Sequence, residues 1–365
     1  VGVLTALAIL AGLIVVHEAG HFLAATWQGI RVSGFSIGFG PALLKRRRGG
    51  VLYALRAIPL GGFVSFPDDD DDPAENPFRS DDPHLLRNRP LPQRALVIAA
   101  GVLANLALAW AVLLAQGLVL GIPAGFSTTP GVLVAAVQPG QPAARAGLEA
   151  GDRIVALQGQ ELSGGQQAVS DLVERIRQSP DQRLAIAAEH QGQRQQLWLV
   201  PDDQGGIGRI GAQLQPNGNE LFRAPLSPLE PIRQANADFL ALMQRTVSGF
   251  GALLTHFGET AGQVSGPVKI VEMGASLAEQ GGSSLFLFTA LISINLAVLN
   301  ALPLPLLDGG QLLLLLIEGL RGRPLPMHFQ TAFLQSGFVF LVGLSLILIV
   351  KDTSQLPVVQ QLLAR

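Results

Sequence analysis

Apolar residues fall in long blocks along this chain. Four blocks reach the roughly 20 residues that carry a helix across the hydrocarbon core of a bilayer. They run over residues 1–25, about 95–122, about 284–307 and about 331–350. A fifth, Leu312–Ile317, is apolar but too short to span. Between the second and third blocks the chain is much less apolar, which predicts an extramembrane part over 123–283. Within it, residues 131–214 alternate like a small β-rich unit with one helical stretch near 169–178. From Pro225 to about Phe257, Phe239, Leu242, Met243, Val247, Phe250 and Leu254 recur at helical spacing. They predict an amphipathic helix, lying on the membrane surface or packed on the β-rich unit. Ser265–Ile270 reads as a turn before the third span. The fold class expected is a polytopic α-helical membrane protein with about four transmembrane helices, a membrane-associated β-hairpin and an inserted extracytoplasmic β-rich domain. Its parts are 1–122, 123–216, 217–283 and 284–365.

Composition agrees. Of 365 residues, 14% are charged, against about 25% in soluble chains. A formal net charge of -2 gives no nucleic-acid footprint. There is no cysteine, so any metal must be held by His, Asp or Glu. The opening block reads as a span, not a signal peptide, because it lacks a small-residue cleavage site. Charge also predicts orientation. Lys45-Arg46-Arg47-Arg48 and the pair Arg321 and Arg323 go to the cytoplasmic side. Four spans then put both termini and the middle region on the other side.

The candidate chemistry sits in the apolar blocks. His17-Glu18-Ala19-Gly20-His21 reads H-E-x-x-H. On a helix the two imidazoles leave one face a turn apart, as two ligands of one zinc ion must. Glu18 is placed to take a proton from a water that the metal activates. Asp308, in Leu307-Asp308-Gly309-Gly310, is the single acid of another apolar stretch. It could complete the metal site, or cap a helix starting near Gln311. Gly101 and Asn105 lie in the second span, where spacing alone favours helix packing. Val51–Phe66, with Pro59-Leu60-Gly61-Gly62-Phe63, predicts a β-hairpin that is either re-entrant or cytoplasmic. The acidic run Asp68–Asp72 reads as a solvated loop.

Two resemblances follow from these motifs. Gly147-Leu148-x-x-Gly151-Asp152-x-Ile154, followed by a short strand and Gly159, resembles a PDZ domain, a module that binds extended peptides at a sheet edge. H-E-x-x-H together with Asn300-x-x-Pro303-x-Pro305-x-Leu307-Asp308-Gly309-Gly310 resembles the site-2 protease family of intramembrane zinc metalloproteases. The match is nearest the bacterial regulator-of-sigma-E protease type, in the branch with a single PDZ domain. That resemblance implies Zn2+ held by His17, His21 and Asp308, with Glu18 as catalytic base. It gives Asn295 the role of holding substrate backbone. Asn105 becomes a second polar position at the substrate site, and the hairpin at Gly61 and Gly62 presents substrate as an extended strand. It implies single-pass transmembrane substrates, such as anti-sigma factors or signal-peptide remnants, and a PDZ unit that either binds a protein C-terminus or excludes bulky ectodomains. It also implies a bacterial plasma membrane or a plastid membrane, with the active site near the cytoplasmic side. One rival is a non-enzymatic PDZ membrane adaptor with a structural metal, in which Glu18 would be dispensable. A metal transporter, the other rival, would spread polar residues over several spans.

Overall fold

The computed structural model describes residues 2–67, 81–138, 140–190, 192–256, 266–280 and 282–354. The acidic run Asp68–Asp72 and Ser265 lie outside them. Two compact units emerge, one of residues 1–120 with 225–353 and one holding 121–224.

The chain opens with α1 (Gly2–Trp27), an apolar helix that carries H-E-x-x-H in its C-terminal half. Strands β1 (Gly34–Arg48) and β2 (Val51–Ser65) follow, joined at Gly49 and Gly50, which both hold positive φ. β1, with its basic cluster, was not foreseen as the partner of the Val51–Phe66 segment. Its first half lies between two stretches of β2: residues 34–37 pair with 52–55 on one side and with 62–65 on the other. Two strands thereby make a doubled-back sheet, and the stretch 62–65 sits at its rim. Helix α2 (Leu91–Val119) starts with Pro92 in its first turn, where the missing N–H costs nothing.

The second unit is β-rich. Its elements in order are β3 (Ile122–Val137), α3 (Pro142–Arg145), β4 (Arg153–Leu157), β5 (Gln160–Glu161), α4 (Gly165–Arg177), β6 (Leu184–His190), β7 (Gln193–Leu199), β8 (Asp202–Asp203), β9 (Gly208–Arg209) and β10 (Ala212–Arg223). The main sheet runs β10-β3-β4-β6-β7, with β5 beside β4. α4 has the strongly amphipathic pattern of a helix that covers a sheet. Leu172 and Ile176 on it meet Val132, Val134, Ile154, Ile186 and Leu199 in one buried core.

The chain returns to the first unit with α5 (Glu230–Thr255), α6 (Pro267–Gln280), α7 (Ser283–Ala301), α8 (Asp308–Arg321) and α9 (Met327–Ser354). Of the turn expected over Ser265–Ile270, Pro267–Ile270 is instead the start of α6: Pro267 occupies its first position, where fixed φ favours a helix. The third span ends at Ala301 rather than near Leu307, because Pro303 and Pro305 cannot continue it. α8 begins at Asp308 rather than near Gln311. α1, α2, α7 and the 328–350 stretch of α9 are the four helices long and apolar enough to cross a membrane among the described residues. By length and composition these helices suit a multi-pass membrane protein.

Candidate metal centre

Three elements distant in sequence build one cluster. α1 supplies His17 and His21, and the first residue of α8 supplies Asp308. The turn over 302–307 aims that carboxylate. Leu306 in it holds φ at 73°, a conformation that costs a residue bearing a β-carbon about 1–3 kcal/mol. A β-carbon on Gly309 would overlap the Ala301 and Leu302 carbonyls, and one on Gly310 the Leu304 carbonyl. The glycine pair is therefore what lets α8 start tight against the end of α7. Leu307, not Asp308, stands at the N-cap, and no side chain caps this helix. The capping role considered for Asp308 is not the one observed.

His17 Nε2 and His21 Nε2 are 3.3 Å apart. Asp308 Oδ2 is 3.3 Å from the first and 3.5 Å from the second. Ligands of a tetrahedral zinc, each about 2.0–2.1 Å from the ion, stand roughly 3.3–3.4 Å from one another. The three donors already have that spacing. Asp308 Oδ2 is buried and has no hydrogen-bond partner among the described atoms, an expensive state for a carboxylate oxygen that a cation would relieve. Two nitrogens and one oxygen, with no thiolate available, suit a catalytic zinc with room for a fourth ligand. Among the described residues, this is the one group of three or more acidic, His or Cys side chains arranged to hold a metal.

The surroundings fix the imidazoles. His21 Nδ1 is 2.8 Å from the Val97 carbonyl, which can only accept, so Nδ1 carries the proton and Nε2 faces the cluster with its lone pair. Asn105, fully buried, places its amide nitrogen 3.2 Å from His17 Nδ1. Ser293 on α7 donates to the Asn105 carbonyl at 2.8 Å. Gly101 makes the space: a β-carbon there would overlap His21 Nε2 and stand 2.7 Å from His17 Cε1. This is a sharper role than helix packing. Gly20 does the packing from the other side, since a β-carbon on it would come within 2.8 Å of Ala104 Cβ.

Glu18 lies beside the cluster and faces the rim of the doubled-back sheet. A β-carbon on Gly62 would be 3.1 Å from Glu18 Cγ, and the Val64 backbone N–H interacts with the carboxylate. Gly61, at φ 104°, turns the chain into that rim. Asn295 is half-buried and accepts from the Thr246 hydroxyl of α5 at 3.0 Å. The sequence reading missed Val97, Thr246 and Ser293. Val97 acts through a carbonyl, which leaves no trace in sequence beyond its place four residues before Gly101. Thr246 lies on a helix whose facing partner sequence does not reveal.

A provisionally named zinc metalloprotease of Nostoc sp. is 48% identical over 97% of this chain and 96% of its own length. The membrane metalloprotease ARASP of Arabidopsis thaliana, a chloroplastic protein, is 43% identical over 99% of this chain and 80% of its own. A provisionally named zinc metalloprotease of Brucella suis is 32% identical over 92% of this chain. The family model described as peptidase family M50 matches residues 5–344. From the first span to the last, then, the chain belongs to peptidase family M50.

Proposed function

We propose that this chain is an intramembrane zinc metalloprotease that hydrolyses peptide bonds within or near transmembrane segments. The observation that carries the reading is the triangle of His17 Nε2, His21 Nε2 and Asp308 Oδ2, with Glu18 between it and the strand 62–65. These three residues would hold the zinc. When bound, the ion supplies Lewis acidity, acidifying a water and polarising a carbonyl.

The chain's own groups do the rest. Glu18 takes the proton of the attacking water and returns it to the leaving amine as the C–N bond breaks. A substrate helix hides its amides in internal hydrogen bonds, so it must unwind before any carbonyl is reachable. The rim strand 62–65 offers backbone partners to such an extended segment. It would lay that segment beside Glu18, with Gly62 keeping the approach open. Asn295 supplies a further polar contact to the substrate backbone.

The substrates this supports are single-pass membrane proteins already shortened outside the membrane, such as anti-sigma factors or signal-peptide remnants. Residues 123–216 act as a PDZ domain that either meets a peptide C-terminus or excludes bulky ectodomains. By its basic residues the protein orients with Lys45–Arg48, Arg321 and Arg323 toward the cytoplasm and the PDZ unit opposite, in a bacterial plasma membrane or a plastid membrane.

The test is cleavage of a tagged single-pass protein by the detergent-solubilised chain, comparing it with Glu18→Gln and measuring zinc in both. Zinc near one per chain in both, with cleavage lost only in the variant, is the expected result. Cleavage by Glu18→Gln, or no zinc in either, overturns the reading.

A further inference from the structure

Val97, Gly101 and Asn105 follow one another at intervals of four along α2, so they form one stripe on a single face. Each touches the histidine pair in a different way. The Val97 carbonyl takes His21 Nδ1 at 2.8 Å. Gly101 leaves the volume that both rings fill. Asn105 meets His17 Nδ1 at 3.2 Å. Nothing on this stripe is open to a substrate: Val97 and Asn105 are buried, and the Asn105 side chain has no exposed surface.

The Asn105 amide shows what the stripe is for. With Nδ2 toward His17, Oδ1 is left buried with no partner. A buried acceptor without a donor costs about 1–3 kcal/mol. For His17 to offer Nε2 to a metal, its proton must sit on Nδ1. An Nδ1–H needs an acceptor, and two N–H groups facing each other repel. A half-turn of the amide about its last torsion exchanges Nδ2 and Oδ1, which are nearly the same size. It brings the orphaned oxygen to the ring proton. Ser293 holds the Asn105 backbone from the other side at 2.8 Å, so the side chain can turn without the helix moving.

We propose that Asn105 is a positioning residue for the metal: its Oδ1 accepts from His17 Nδ1–H, as the Val97 carbonyl accepts from His21 Nδ1–H, and the two lock both imidazoles with Nε2 toward the ion. The resemblance at the level of sequence put Asn105 at the substrate; its burial and its partner put it behind a ligand. The proposal rests on His17 and His21 being the metal ligands.

The experiment measures zinc affinity of the detergent-solubilised full chain by competition with a chromophoric chelator, and in parallel KM and kcat at saturating zinc. The variants are Asn105→Leu, which keeps the branched outline and the number of heavy atoms and removes the acceptor, and Asn105→Asp, which keeps an acceptor. His17→Ala serves as control. Losing an outer partner of a ligating histidine typically weakens metal binding about 10–100-fold. That loss is expected for Asn105→Leu, with KM unchanged once zinc is saturating. Asn105→Asp is expected to bind within about threefold of the parent chain, well short of that loss. If Asn105→Leu binds zinc like the parent and raises KM instead, Asn105 serves the substrate and the proposal is wrong. If Asn105→Asp binds as weakly as Asn105→Leu, the acceptor role is wrong. Should Asn105→Leu fail to fold, Asn105→Ala takes its place: it too lacks the acceptor, and zinc binding like that of the parent chain overturns the proposal. A normal zinc affinity in His17→Ala would sink the ligand reading itself, whatever the Asn105 variants do.

Discussion

Gly62 and Glu18 are neighbours across two elements that sequence does not connect. A β-carbon on Gly62 would stand 3.1 Å from Glu18 Cγ and 2.9 Å from the Ser36 carbonyl. The first contact is with a side chain that can shift, the second with backbone that resists. Gly62→Ala should therefore displace the strand 62–65 from the Glu18 carboxylate, proposed above to transfer the proton, while sparing the histidines. A misplacement near 1 Å can cost about 10²-fold in rate. The expected outcome is cleavage reduced to that order with zinc content unchanged, measured on the same preparation.

Asp308→Ala removes the one donor that does not come from α1. A ligand at a hundred times its Kd stabilises a fold by about 2.7 kcal/mol. Added zinc should raise the unfolding temperature of the parent chain and leave that of Asp308→Ala nearly unmoved. Chelation should abolish cleavage by the parent, and readdition of zinc should restore it.

Arg94 and Glu318 tie the start of α2 to α8. Their Nη1–Oε2 distance is 2.9 Å, and Glu318 Oε1 also accepts from the Leu325 backbone N–H. Glu318 is buried, while Arg94 is partly exposed. Removing one partner of a buried pair leaves the other charge uncompensated, at about 3–5 kcal/mol. Arg94→Ala should lower the thermal stability in detergent substantially. Glu318→Gln, which deletes the charge with it, should lower it less.

In the β-rich unit, Asp152 is fully buried and accepts from the Glu149 backbone N–H at 2.9 Å while facing His190. Asp152→Ala leaves that N–H without its partner, at about 1–3 kcal/mol. Limited proteolysis of the full chain should cut residues 121–224 faster in the variant and leave the helices as before.

Asp82 holds the segment after the hairpin. Its carboxylate accepts from the His84 backbone N–H at 2.8 Å and from Arg31 at 3.1 Å. The His84 N–H first, and then the Arg31 charge, keep it below its ordinary pKa. A depressed pKa means that the contribution is whole above the ordinary aspartate value, about 3.9, and disappears as pH falls through the folded value. The protection factor of the His84 amide against hydrogen exchange should fall in that acidic window, and Asp82→Asn should show the lower protection even at neutral pH.

Much of this was legible because membrane helices and metal motifs write themselves locally. Val1–Ala25 declared both its length and its H-E-x-x-H, and Asp308 stood out as a lone acid beside prolines and glycines. What stayed hidden depends on long-range pairing. β1 was missed because Gly34–Arg48 mixes glycines with a basic cluster and shows no clean alternation. Its strand character comes from lying between two stretches of β2. Gly101 and Asn105 looked like packing residues because nothing in α2 states that two imidazoles will occupy the notch. α6 was misread from Gly266-Pro267, a pair that signals a turn and equally a first helical residue.

The cluster draws on both ends of the chain, with His17 and His21 early and Asp308 about three hundred residues later. A ribosome adding 5–20 residues per second needs roughly 15–60 s to cover that interval. On this ligand set a growing chain has two of its three donors in the bilayer long before the third is made. A product of interrupted translation that stops short of Asp308 would lack one of the three groups that could hold the ion. With the donors distributed this way, completion of the metal centre would depend on two segments synthesised far apart in time.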